Sequence, residues 1–228
     1  MSEAQVEERF PAKDRAAIAS GVEVALIAGF LLVYIWVIEP RSRVYAGPGF
    51  VLFFTFTFLS HLRHNDTLAD LGIRLDTFGR ALREALLVIA PTIVLAAALG
   101  VWLGGGIALD PWRTAMGFFW GYPWALFQQY GLQCVFGRRL AGVISHPVGH
   151  DVTCAAIFGA LHLPNPFLSI MTFGAGYCFC ALFRRCPNLF ALALAHTLAS
   201  TVLYHFLPMQ ITHFMRVGPG YFEANGLS

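Results

Sequence analysis

The chain has 228 residues, of which 57% are hydrophobic, 14% aromatic and only 12% charged, with a formal net charge of +2. A soluble domain carries about a quarter charged residues, so this composition excludes a disordered chain, a nucleic-acid binder and almost any soluble enzyme. The mean hydropathy of +0.63 points instead to a polytopic membrane protein.

The first fifteen residues, MSEAQVEERFPAKDR, are polar and mixed in charge. They lack the basic start and early apolar core of a secretory signal, so they read as a short soluble arm, residues 1–15. Apolar runs of bilayer-spanning length follow. The first covers about 17–38 and ends at Glu39-Pro40-Arg41; a Phe-rich second covers about 44–60. The polar stretch His61 to Glu84 comes next, and Leu68, Leu71, Ile73 and Leu75 within it fit a short interfacial segment. Further spans are expected at about 85–104 and 114–136. The apolar run at 152–163 is only twelve residues long and ends in HLPNP, so an incomplete crossing is expected there. Runs at 167–183 and 188–207 complete an all-α transmembrane bundle of six to eight helices spanning residues 16–208, because lipid-exposed backbone must be satisfied within helices. Residues 209–228 read as an extramembrane tail, with covering of a cavity mouth as the alternative.

Of 13 acidic residues, ten lie at or before Glu84, so any chemistry in the second half has few carboxylates to use. Four of the five cysteines lie in apolar surroundings and no CxxC pair occurs, which suits small buried hydrophobes better than disulfides.

Polar side chains inside spans are costly and are functional candidates by default. Gln128, Gln129 and Gln133 lie in the 114–136 span, His162 in the short helix, and His196 and Ser200 in the last span; Glu23 lies near the start of the first. Gln129 and Gln133, Phe158 and His162, and His196 and Ser200 are each four apart and share a helix face. A single such residue reads as interhelical glue. Three stripes on three helices read as one cavity. Histidines at His61/His64 and His146/His150 raise a metal centre as a third reading, but HPVGH contains Pro and Gly and carboxylates are scarce. No metal and no cofactor is expected.

The stretch from His162 to Ser200, with Phe158 and His162 as Phe-x-x-x-His and His196 and Ser200 as His-x-x-x-Ser, resembles the CAAX-protease and bacteriocin-processing (CPBP, or Abi) family of intramembrane proteases. The LADLGIRL stretch is similar to the segment ahead of that family's core, so the likeness runs over about 66 to 205. The first family motif, Glu-Glu-x-x-x-Arg, departs: Gln128-Gln129 stand for the glutamates and Gln133 for the arginine. The resemblance implies a first glutamate and the Phe-x-x-x-His histidine activating water, with the last histidine and its partner stabilising an oxyanion. Glutamine does not titrate near neutral pH, so Gln128 is no base.

The sequence thus leads to a membrane-embedded, hydrolase-like enzyme of CPBP type acting on a lipidic or membrane-delivered peptide or small molecule. His162, His196, Ser200, Gln128 and Gln129 are its expected catalytic residues, and Gln133 and Phe158 its substrate contacts. The alternative is a non-catalytic relative that binds a hydrophobic ligand or partner protein in the same cavity. The expected setting is the lipid bilayer of a bacterial cytoplasmic membrane, with no nucleic acid and a protein partner left open.

Overall fold

A computed structural model describes residues 12–103 and 110–227. Seven helices of at least fourteen residues occur among the described residues: α1 (Ala12–Val33), α2 (Ala46–His64), α3 (Phe78–Trp102), α4 (Pro111–Gln129), α5 (Pro147–Ala160), α6 (Pro166–Arg185) and α7 (Leu189–Phe206). Two short ones, α8 (Met209–Thr212) and α9 (Pro219–Ala224), follow. The all-α expectation and its helix number hold. Most of the polar arm lies outside the described residues, and α1 already begins at Ala12. The expected interfacial segment is a set of turns over 65–77, in which Leu71 is buried while Leu68 and Leu75 face outward.

Among the described residues, four helices are long and apolar enough to cross a bilayer: α1 with its extension to Ile38, α3, α6 and α7. Their outward surfaces carry Leu26, Val94, Leu95 and Ile170, each more than half exposed, a surface for lipid rather than water to solvate. The molecule is an integral membrane protein.

Local sequence sets the helix ends. Asn165 and Asn188 each accept a hydrogen bond from the backbone N–H three residues on, capping α6 and α7 at 3.0 and 2.9 Å. Pro147 and Pro166 occupy first-turn positions, where their missing N–H costs nothing. The Pro and Gly of HPVGH therefore start a helix, with His146 as its N-cap accepting from Gly149 at 3.3 Å.

α7 packs between α3 and α4, while α5 and α6 form a tight hairpin. At their crossing, a Cβ on Gly176 would meet the Ala155 backbone and the Phe158 ring at 3.3 Å. The continuation of α4 is not regular: Tyr130–Gly137 winds as a π-helix before an α-turn over Arg138–Ala141. All of Gly131 to Gly137 is buried, so this widened segment is the centre of the bundle.

Candidate active site

The π-helical segment begins at the residue after Gln129, and irregular turns of this kind recur at functional sites. Gln129 is fully buried and Gln133 nearly so. Gln133 donates from Nε2 to Gln129 Oε1 at 3.2 Å, and Gln129 Nε2 lies 3.1 Å from His196 Nδ1 on α7. With its oxygen occupied, Gln129 can offer His196 only an N–H. Nδ1 of His196 is therefore the acceptor, and the neutral ring carries its proton on Nε2.

His162 is set the opposite way. It lies in the turn after α5, with Nδ1 2.6 Å from the carbonyl oxygen of Phe158. A carbonyl only accepts, so Nδ1 holds the proton and Nε2 of the neutral ring keeps its lone pair. Phe158 contacts both imidazoles, its ring centroid 4.8 Å from that of His162 and 6.2 Å from that of His196, edge-on to both. Gln128 is the remaining member. Its Oε1 is buried without a hydrogen-bond partner, an acceptor whose desolvation is uncompensated until a donor arrives.

The structure thus links Gln133 and Gln129 to His196, and Phe158 to both His162 and His196, while Gln128 adjoins Gln129 in the chain. Gln133 and Phe158, expected as substrate contacts, are buried at 3% and 5% exposure, Gln133 against Gln129 and Phe158 against both imidazoles. Ser200 Oγ donates to the Thr197 carbonyl at 3.1 Å. It is bound to its own helix, as hydroxyls in apolar helices tend to be, rather than to His196. The histidine pairs proposed for metal separate: His146 caps α5, His61 pairs with Asp66 at 2.7 Å, and His64 reaches Glu23.

Two charged clusters were not legible as such. Asp66, with its side chain 1% exposed, accepts from Arg138 at 2.7 and 3.1 Å, from Arg139 and from His61. Glu23 joins this cluster by accepting from Ser60 at 2.6 Å, beside Arg139. Buried Asp151 holds Arg184 through two bonds, 2.9 and 2.5 Å, and lies 2.9 Å from His150 Nδ1, whose Nε2 meets the Gly137 carbonyl at 2.8 Å. Both ring nitrogens of His150 face acceptors, so this imidazole carries two protons and a positive charge. The signal available in the sequence was an acidic residue in an acid-poor half, as with Asp151.

An imidazole pair and an amide pair buried among apolar helices give this membrane-embedded helical protein a polar centre. Residues 125–202, which contain all of these site residues, match the family model for type II CAAX prenyl endopeptidase Rce1-like proteins. The match agrees with the CPBP resemblance of that segment. The match leaves out the LADLGIRL stretch and the rest of the chain before residue 125. No curated protein and no solved structure matches the chain.

Proposed function

We propose that this protein is a membrane-embedded hydrolase for a lipid-modified or membrane-delivered peptide, with His162 as general base and then proton donor to the leaving group, and His196 as the hydrogen-bond donor to the oxyanion. The observation that carries this reading is the opposite tautomers of two imidazoles flanking one phenyl ring: one offers a lone pair, the other an N–H. In the reaction, a water gives a proton to His162 Nε2 as its oxygen adds to the scissile carbonyl. The developing oxyanion accepts from His196 Nε2–H. Collapse of the adduct breaks the C–N bond, and the proton held by His162 passes to the leaving amine. Gln128 Oε1, short of a donor, holds the attacking water or a substrate N–H. Without a carboxylate the base is weaker than in the Glu-Glu motif, so slow turnover is expected.

An apolar groove of about 990 Å³ between α4 and α7 supports a lipidic substrate. It is lined by Phe119, Tyr122, Leu194, Leu198 and Thr201 among others, on the same two helices that carry Gln128 and His196. The setting proposed is a bacterial cytoplasmic membrane.

The second reading, a binder without chemistry, is favoured by one observation: neither Gln128 nor Gln129 can take up a proton. The test incubates purified protein with farnesylated and unmodified C-terminal peptides and follows products by mass spectrometry. Cleavage of the lipidated peptide is expected, falling about a hundredfold or more in His162→Ala and in His196→Ala. Unchanged turnover in the double variant would sink the catalytic assignment. Binding of the farnesylated peptide with no product would move the protein to the second reading.

A further inference from the structure

His162 lies two residues beyond the end of α5, where regular helical hydrogen bonds have given out, so its placement depends on the turn that carries it. That turn is held by Asn165. Asn165 is fully buried, and its backbone N–H donates to the His162 carbonyl at 3.2 Å. Its Oδ1 caps α6 through Leu168 N at 3.0 Å. Its Nδ2 donates twice to the C-terminal segment, to the Thr212 carbonyl at 3.0 Å and the Arg216 carbonyl at 3.1 Å. Next to His162, the Leu163 carbonyl accepts from Gly218 N at 2.9 Å.

The segment that makes these bonds is itself anchored on the opposite side. Gly218 adopts φ +54°, and a Cβ there would come within 2.8 Å of the Ile35 side chain, so only glycine allows this approach. The Phe222 ring sits 6.5 Å from that of Trp36 at the end of the first span. His213 Nδ1 bonds Asn225 Oδ1 at 2.9 Å, closing the segment on itself.

We propose that Asn165 is a positioning residue for His162, and that residues 208–227 complete the hold by bracing the His162 turn against α1. This extends the reading of His162 as the base and adds the C-terminal segment to the machinery that orients it. A reactive group on an unsupported turn loses the alignment that its chemistry needs, and displacement by about 1 Å can cost on the order of a hundredfold in rate. The plain alternative is that Asn165 does no more than cap α6.

Two full-protein variants separate these roles. Asn165→Asp keeps the capping oxygen but replaces the amide donor with a carboxylate against two carbonyl oxygens. Removal of residues 216–228 leaves Asn165 in place and deletes its Arg216 acceptor together with Gly218. The first readout is nitrogen NMR of histidine-labelled protein in micelles, with the His162 signal assigned through His162→Gln. The second is cleavage of the farnesylated peptide. In both variants the Nδ1-protonated signature of His162 is expected to give way to an exchange-averaged one. kcat is expected to fall about tenfold to a hundredfold with KM unchanged. Retention of the native His162 signal in both variants would overturn the proposal. Should the intact protein cleave nothing while the signal still collapses in the variants, the positioning role stands and the hydrolase reading falls. A thermal melt of Asn165→Asp close to that of the parent keeps loss of the signal from being read as unfolding.

Discussion

Asp66 shows how a single carboxylate can organise one end of this molecule. Burial alone would raise its pKa, but hydrogen bonds from His61, Arg138 and Arg139 outweigh that and hold it at about 2. A folded-state value below the ordinary carboxylate range means the contribution to stability is complete above about pH 4 and is lost as pH falls through about 2. Asp66→Asn is expected to cost roughly 3 kcal/mol, because buried Arg139 then keeps only the more distant Glu23 carboxylate, 3.6 Å away, as counter-charge. Unfolding in detergent checks this: the parent protein should lose stability between about pH 4 and about pH 2, and the variant should show no such step from this position. At the site itself, Gln129→Glu is expected to reverse the His196 tautomer, since a carboxylate demands the proton on Nδ1 that the amide now leaves on Nε2. Histidine nitrogen NMR would register the exchange directly. The shared faces of Gln129 with Gln133 and of Phe158 with His162 were legible in the sequence because i, i+4 spacing survives in any helix. The division of the site into reactive and supporting groups was not, since it depends on which neighbour occupies which nitrogen.

At the scale of the elements, the close approach of α5 and α6 links packing to chemistry. Gly176 faces the Phe158 ring that contacts both imidazoles, so a larger side chain there presses on a ring that touches both histidines. Gly176→Val is expected to destabilise the bundle by about 1–3 kcal/mol and to reduce turnover further than that loss alone would. Gly174, two residues away on the same helix, has open space where a Cβ would be placed. Gly174→Ala should leave turnover intact and stabilise α6 by up to about 1 kcal/mol, so paired melting and peptide-cleavage measurements isolate the contact. Helix positions were legible from apolar run length to within several residues at each end. The π-helical widening after Gln129 was not, because Tyr-Gly-Leu-Gln-Cys-Val-Phe-Gly carries no breaker that distinguishes five-residue from four-residue hydrogen bonding. The folding of the C-terminal segment onto the His162 turn was equally hidden, since it rests on one buried asparagine amide and on backbone groups.

Across the whole molecule, the two ends of the bundle differ in charge. One end gathers the 65–77 turns, the start of α5 and the α6–α7 connection, tied together by Arg138–Asp66, Arg184–Asp151, Asn188 to the Arg74 carbonyl and Leu189 to the Gly72 carbonyl. The other gathers the end of the first span, the His162 turn and the C-terminal segment. Arg63, Arg74, Arg80, Arg83, Arg138, Arg139, Arg184 and Arg185 belong to the first end, against Arg41, Arg43, Arg113 and Arg216 at the second. The clusters around Arg41 and Arg63 lie at opposite ends, and the full antiparallel path sets the balance in favour of the first. Positive charge is retained on the cytoplasmic side, so the Arg-rich end is expected to face the cytoplasm, with the 208–227 segment on the far side. His196 then lies about 10 Å into α7 from the cytoplasmic end, at 1.5 Å per residue, within reach of a peptide delivered from that side with its lipid in the α4–α7 groove. Single cysteines at Thr67 and at Glu223, in a background lacking the native thiols, would read this out with an impermeant maleimide applied to intact cells. Labelling at 223 and protection at 67 are expected. The reverse pattern would place the arginines outside and require substrate to arrive from the opposite surface.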